Sequence, residues 1–188
     1  MVFADKLHDI IEVLENDGVI LYPGDTTWAM GAAFSSQSAV DKIRDIKKDE
    51  SFESYTLLVS SLKMLKDHVE IHPRIETLLH YHEQPLTIVY KKTNFVPTSL
   101  LDQKGKINVR LVKDPFVNTI IDLLGEPLFT TLAHPPSIDF PKHFGEINQE
   151  IISNVDYVCK HRRMDKKFMP PSVMITYDEK GDITFLRK

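Results

Sequence analysis

Arg110 is a charge inside an apolar run, Ile107-Asn108-Val109-Arg110-Leu111-Val112. A guanidinium placed there must either face solvent or meet an anion. A second concentration of polar chemistry follows the β-branched run Val19-Ile20-Leu21-Tyr22. Pro23-Gly24-Asp25 punctuates that run, and Thr26 and Thr27 supply adjacent hydroxyls before the only tryptophan, Trp28. A buried strand that ends in a polar turn is where open α/β sheets hold their ligands. The plain alternative is a core strand followed by an ordinary turn. Lys47, Lys48, Arg162, Arg163 and Arg187 complete the set of cations that could hold an anion, although most Lys and Arg side chains are simply solvated.

Other chemistries find little support. Neither G-x-x-x-x-G-K-[ST] nor G-x-G-x-x-G occurs, and with seven glycines in the chain a nucleotide would be held mainly by side chains. His80 and His82 stand two apart on a predicted helix and point to different faces, while His72, His134, His143 and His161 are scattered through loops. No H-E-x-x-H and no Cys/His cluster occurs, so no tightly bound metal is predicted. Magnesium carried in with a nucleotide needs few protein ligands and stays open. No G-x-S-x-G elbow is present, and Cys159, the single cysteine, reads as a small core residue rather than a reactive thiol.

The elements that must position these groups follow from hydrophobic spacing. Phe3, Leu7, Ile10, Ile11 and Leu14 repeat at helical spacing before the stop Asn16-Asp17-Gly18. Strand Val19–Tyr22 and a second extended piece within Thr27–Phe34 come next. Ser35 or Ser36 caps a helix whose buried face is Ala39, Val40, Ile43 and Ile46. Strand Tyr55–Val59 precedes two short helices, near Leu62–Val69 and Pro73–His82. Strands Leu86–Lys92 and Lys106–Leu111 lead to a helix begun by Pro115 and stopped by Gly125. Strand Leu128–Ala133, a His- and Pro-rich loop, helix Ile147–Ser153 and strand Tyr157–Lys160 follow. A basic loop with Arg162, Arg163, Lys166 and Lys167 precedes a closing hairpin, Val173–Tyr177 with Ile183–Leu186. The mixture predicts an α+β fold, a mixed β-sheet covered by helices.

Composition sets the outer limits. A chain of 188 residues, 42% hydrophobic and 27% charged, suits one domain over residues 1–188 with a sizeable core and no wholesale disorder. A net charge of −4 excludes a uniformly basic coat for nucleic acid, not a local basic groove. The amphipathic, acid-containing N-terminus is neither a signal nor a transit peptide, and no apolar run is long enough to span a bilayer. One free cysteine suits a reducing compartment. A soluble cytoplasmic protein without a membrane partner is expected.

Tyr22-Pro-Gly-Asp-Thr-Thr-Trp-Ala-Met-Gly31 is similar to the Y-P-T-D-T-x-Y-G-L-G signature of the YrdC/YciO-like family, which includes threonylcarbamoyl-AMP synthases. The similarity continues in order along nearly the whole chain. Ile43-Arg-Asp-Ile-Lys47 resembles the family's I-x-x-I-K stretch, Gln84-Pro-Leu-Thr-Ile-Val89 its G-P-L-T-x-x-L, and Asn108-Val-Arg110 its G-V-R strand. Gly125-Glu-Pro-Leu128 precedes a position like S-T-S-A-N-x-S-G. Pro171-Ser172 and Phe185-Leu-Arg187 resemble the P-S-T strand and the terminal arginine. The resemblance implies a twisted mixed sheet flanked by helices around a concave basic cavity. It further implies ATP with Mg²⁺, L-threonine and bicarbonate as ligands, and an L-threonylcarbamoyladenylate product that serves tRNA modification. On the same ground Lys47, Arg110, Thr131, Ser172 and Arg187 would meet the nucleotide, and Thr26 and Thr87 the substrate.

The departures are specific. Synthases of the family carry a Lys-x-Arg pair and a Ser-x-Asn pair around the nucleotide. Here Lys47 is followed by Asp49 at the Arg position, and Leu132 and His134 replace the Ser and the Asn. Gly24 replaces the first Thr of Y-P-T-D-T. An Asp beside phosphates repels them, and Leu132 removes a hydroxyl donor. The stretch Lys47–Val59 resembles the YciO-like branch more than the synthase branch. A nucleotide-binding protein whose nucleotidyltransferase activity is weak or lost is therefore expected. The alternatives are a double-stranded RNA- or tRNA-binding module using the basic loop, and a structural paralogue without catalysis.

Overall fold

The structure is a computed structural model that describes residues 3–48, 55–91, 93, 96–135, 139–166 and 171–188. Its helices are α1 (Leu7–Glu15), α2 (Gln37–Lys47), α3 (Leu62–His68), α4 (Pro73–Tyr81), α5 (Pro115–Leu124) and α6 (Gln149–Asn154). Its strands are β1 (Ile20–Pro23), β2 (Trp28–Ala33), β3 (Thr56–Val59), β4 (Leu86–Tyr90), β5 (Ile107–Leu111), β6 (Leu128–Leu132), β7 (Tyr157–Val158), β8 (Val173–Tyr177) and β9 (Ile183–Arg187).

Local chemistry sets most of the boundaries. Ser36 accepts from the Ala39 amide at the start of α2, and Ser61 from the Met64 amide at the start of α3. Asp114 accepts from the Phe116 and Val117 amides, with Pro115 opening α5 and Gly125 closing it in the left-handed conformation at φ 77°. Three elements differ from the sequence reading. The strand expected over Leu86–Lys92 ends at Tyr90, and Lys92 lies outside the described residues. The strand expected over Tyr157–Lys160 stops at Val158, because the Lys160 and His161 amides donate to the Asp5 carboxylate at 2.7 to 3.0 Å instead of to a neighbouring strand. The helix expected from Ile147 begins at Gln149, where Asn148 caps the Glu150 amide, and a 3-10 turn, Phe144–Glu146, precedes it.

The strands form one mixed sheet in the order β7-β1-β2-β6-β3-β5-β4-β8-β9. Pairs β1–β7, β3–β5 and β4–β8 run parallel and the others antiparallel. The fold is thus the mixed α/β class read from the sequence. Strand β2 is buried along all six of its residues, with α1 and α2 packed against it. One hydrophobic cluster runs from Ile10 in α1 through β1, β3 and α5 to Ile175 in β8.

Register places polar side chains in rows. Thr56 of β3 lies opposite Asn108 of β5 on one side and Thr130 of β6 on the other. Thr87 of β4, Met174 of β8 and Arg187 of β9 form a second row. Because side chains alternate along a strand, Arg110 shares a face with Asn108, and Leu132 with Thr130. That face carries the cavity.

Candidate functional site

A cavity of about 360 Å³ lies over these rows. Thr26, Lys47, Thr87, Arg110, Thr131, Ser172 and Arg187, the seven residues singled out from the sequence, all line it. Their convergence from seven separate segments is what the sheet supplies. Asp25, Asn108, Tyr22 and Thr130 also line it and had not been singled out as ligands.

Arg110 dominates the electrostatics. Only 8% of the residue is exposed, and Asp25 Oδ1 lies 2.9 Å from its Nη2. The approach is a charge contact without hydrogen-bond alignment, for Nε and Nη2 are both buried and have no hydrogen-bond partner among the described residues. Burial lowers the basicity of the guanidinium, and Asp25 partly restores it. Burial likewise pushes the Asp25 carboxyl above the usual carboxylate range, against the pull of Arg110. A charged strand residue had to face solvent or an anion; Arg110 faces the Asp25 carboxylate, and its Nε is left without a hydrogen-bond partner among the described residues.

Arg187 and the hydroxyls form the opposite wall. Thr87 Oγ1 and Ser172 Oγ lie 2.7 Å apart in a buried pair. Arg187 donates from Nε to the Ser172 carbonyl at 2.9 Å and from Nη2 to its Oγ at 3.3 Å. The β8–β9 register pairs Ile175 with Phe185 but Met174 with Arg187, leaving Leu186 as an extra, bulged residue. Bulges re-aim the side chains beside them, and here Arg187 reaches the cavity from an exposed strand. Burial and the charge of Arg110 both lower the basicity of Arg187, so two guanidiniums repel each other across this wall.

Lys47 ends α2, where a cation favours the helix dipole, and is 1% exposed. Its Nζ donates to the Leu132 carbonyl at 3.0 Å and the His134 carbonyl at 2.5 Å. The two positions read as lost donors therefore hold the lysine through their main chain. The Leu132 side chain lines the cavity, and His134 Nδ1 donates to the Pro135 carbonyl at 2.8 Å. Asp49 lies outside the described residues.

The floor is the turn after β1. The Gly24 amide donates to the Thr27 carbonyl at 3.0 Å, and a Cβ at Gly24 would lie 2.8 Å from that oxygen. Tyr22 passes over Gly31, where a Cβ would lie 2.9 Å from the ring, and its hydroxyl meets Thr130 Oγ1 at 2.8 Å. Thr26 and Thr27 both line the cavity, and the Thr27 hydroxyl donates to the Pro141 carbonyl.

The basic loop is organised inward. Arg162 Nη2 meets Asp114 Oδ2 at 2.6 Å, and its Nη1 lies 3.5 Å from the Gly24 carbonyl. Arg163 donates to the Cys159 and Val158 carbonyls at 2.6 and 2.5 Å and lies over the Phe144 ring at 4.9 Å. Lys166 is exposed, and Lys167 lies outside the described residues. Cys159 is fully buried, and burial pushes its thiol well up, as suits a core cysteine. Among the described residues no group of three or more His, Cys, Asp or Glu could hold a metal ion, and no helix is long and apolar enough to cross a membrane.

Comparison with known proteins places this architecture. The profile of the family Sua5_yciO_yrdC, described as Telomere recombination, matches residues 12–188. YciO of Escherichia coli (strain K12) is 26% identical over 177 residues, covering 92% of this chain and 84% of its own. The E. coli YciO crystal structure superposes with a TM-score of 0.83 at 23% identity, over 97% of this chain and 88% of that one. A threonylcarbamoyl-AMP synthase of Enterobacter sp. (strain 638) is 24% identical over 128 residues, 66% of this chain and 67% of its own. P. abyssi Sua5, complexed with L-threonine, shares the fold at a TM-score of 0.80 and 18% identity, over 96% of this chain and 53% of that one. With the profile spanning nearly all of its length, the chain belongs to the Sua5/YciO/YrdC family.

Proposed function

We propose that this chain binds ATP, as its Mg²⁺ complex, in the cavity over β5, β3 and β6. We further propose that synthesis of threonylcarbamoyl-AMP from ATP, L-threonine and bicarbonate is weak or lost in it. The observation that carries the reading is the convergence of two arginines, Arg110 and Arg187, on one cavity. Arg110 Nη2 is held by Asp25, but its buried Nε has no hydrogen-bond partner among the described residues, and a buried donor without a partner costs about 1–3 kcal/mol. Arg187 adds a second positive charge beside the Thr87 and Ser172 hydroxyls, a setting that suits a carboxylate or phosphate. An anion there would relieve the repulsion between the two guanidiniums. Family members named threonylcarbamoyl-AMP synthases, and a neighbour complexed with L-threonine, indicate the ligand class.

Among the described residues the cavity wall offers hydroxyls and no carboxylate cluster, which suits a metal carried by its substrate rather than a resident one. The triphosphate would hold Mg²⁺. When bound, the ion supplies charge neutralisation for departing pyrophosphate. Against efficient adenylation stand Leu132, which presents no donor, and Lys47, whose ammonium is fastened to two main-chain carbonyls. Loss of one donor at a developing oxyanion costs about 10²–10³ in rate.

Equilibrium dialysis of ATP with Mg²⁺ and a pyrophosphate-release assay with L-threonine and bicarbonate test both parts. Saturable ATP binding is expected, with pyrophosphate release at least about 100-fold below a family synthase assayed alongside. No ATP binding at millimolar concentration defeats the first part; turnover equal to the synthase defeats the second.

A further inference from the structure

Arg162 belongs to no motif that led to the cavity, yet it touches both strand ends that build its charged floor. Its backbone is left-handed, φ 55°, a conformation uncommon for a residue with a Cβ and held only where the surroundings demand it. The demand is visible. Asp114 uses Oδ1 to accept the Phe116 and Val117 amides, at 3.0 and 3.1 Å, which fixes Oδ2 for Arg162 Nη2 at 2.6 Å. The other arm of the guanidinium reaches the Gly24 carbonyl at 3.5 Å. Asp114 follows β5, which carries Arg110, and Gly24 precedes Asp25. Arg162 therefore spans on the outside the same two turns that the Asp25–Arg110 contact spans inside the cavity.

We propose that Arg162 is a positioning residue that straps the Gly24 carbonyl to the Asp114 carboxylate and so presents Asp25 to Arg110. The proposal rests on the nucleotide reading of the cavity for its function but not for its geometry. The charged groups that face Asp25 are Arg110 of β5, Asp114 of the turn before α5, and Arg162 of the loop after β7; the Tyr22 phenol of β1 is the remaining titratable neighbour. Burial pushes the Tyr22 ionisation well up, so it stays neutral. When a ligand anion engages Arg110, Asp25 shares its main counter-charge. Arg162, held to Asp114, keeps the Gly24–Asp25 turn in place, so that Asp25 stays beside Arg110.

The test uses the full chain, with the Asp25 carboxyl carbon followed by NMR across pH and assigned through Asp25→Asn. Without nucleotide, Arg162→Met is expected to move the Asp25 titration midpoint upward, since a cation that favours the carboxylate is gone. Arg162→Lys keeps the charge and loses the two-armed geometry. It is expected to leave the midpoint in place, to speed amide exchange at Asp25 and Thr26, and to weaken ATP binding about fivefold. An unmoved midpoint in a folded Arg162→Met overturns the proposal. Should that variant not fold, unaltered exchange at the turn in Arg162→Lys overturns it instead. A chain that binds no ATP but shows the midpoint and exchange changes supports the strap and defeats only the nucleotide reading.

Discussion

Replacing Arg110 by Met separates what the residue does for the fold from what it does for a ligand. Methionine keeps an unbranched stem where the aliphatic part of Arg110 packs and removes the guanidinium, so the pairing of β5 with β3 and β4 changes little. Breaking a buried ion pair by removing one partner costs about 3–5 kcal/mol when the remaining charge is fully enclosed. Asp25, however, keeps 21% of its side chain exposed and has a carboxyl already displaced toward the protonated form, so about 1–2 kcal/mol is the better figure. Against this, the substitution removes one buried donor that lacks a partner, Nε, a liability of about 1–3 kcal/mol. The two contributions nearly cancel. Urea unfolding without ligand is expected to give a stability within about 2 kcal/mol of the parent. ATP affinity is a different matter. A two-pronged charge-assisted contact is worth about 3 kcal/mol, which predicts affinity about 150-fold weaker by equilibrium dialysis. A loss of more than about 4 kcal/mol of stability with ATP binding intact would refute the reasoning, because Arg110 would then be a structural ion-pair partner and not an anion receptor.

Three further outcomes follow from the same geometry. Gly24→Ala places a Cβ 2.8 Å from the Thr27 carbonyl oxygen, so the turn must open; a loss of about 1–3 kcal/mol by urea unfolding is expected, together with weaker ATP binding. Leu132→Ser returns a hydroxyl to the cavity wall without disturbing the main-chain carbonyl that Lys47 uses, and pyrophosphate release is expected to rise about tenfold; an unchanged rate counts against the donor argument. Asp25 governs a pH effect whose sign is opposite to that of most carboxylates. Its folded-state carboxyl titrates above the unfolded value, so the native state binds the extra proton, and stability falls as pH rises from the unfolded toward the folded midpoint. Asp25→Asn is expected to remove that decline, read as the difference between two urea-unfolding series. Asp156, held low by its Lys42 and Val19 hydrogen bonds, contributes the usual acid loss to both and cancels.

Lys47 shows where reading side chains from the sequence reaches its limit. Helical periodicity and the Ser36 cap located α2, and with it the lysine at its end, because both signals are local. Arg110 was conspicuous for a similar reason, being a charge in an apolar strand. Asp25 and Arg162 were not, since their meaning comes from partners on other strands and loops, and Arg163 looked like surface charge until its guanidinium folded back onto the β7 carbonyls. Strand β7 was too long in the reading because a remote carboxylate, Asp5, takes the amides that would have extended it. At Leu132 and His134 the sequence spoke only of side chains, two donors replaced. The structure adds that the carbonyls of these same residues hold the ammonium of Lys47. A carbonyl persists whatever side chain stands there, so restoring Ser and Asn would return the donors and leave the lysine where it is. If adenylation is weak in this chain as proposed, two separable features would contribute, the missing hydroxyl and the fastened lysine, and only the first lies within reach of a substitution at position 132.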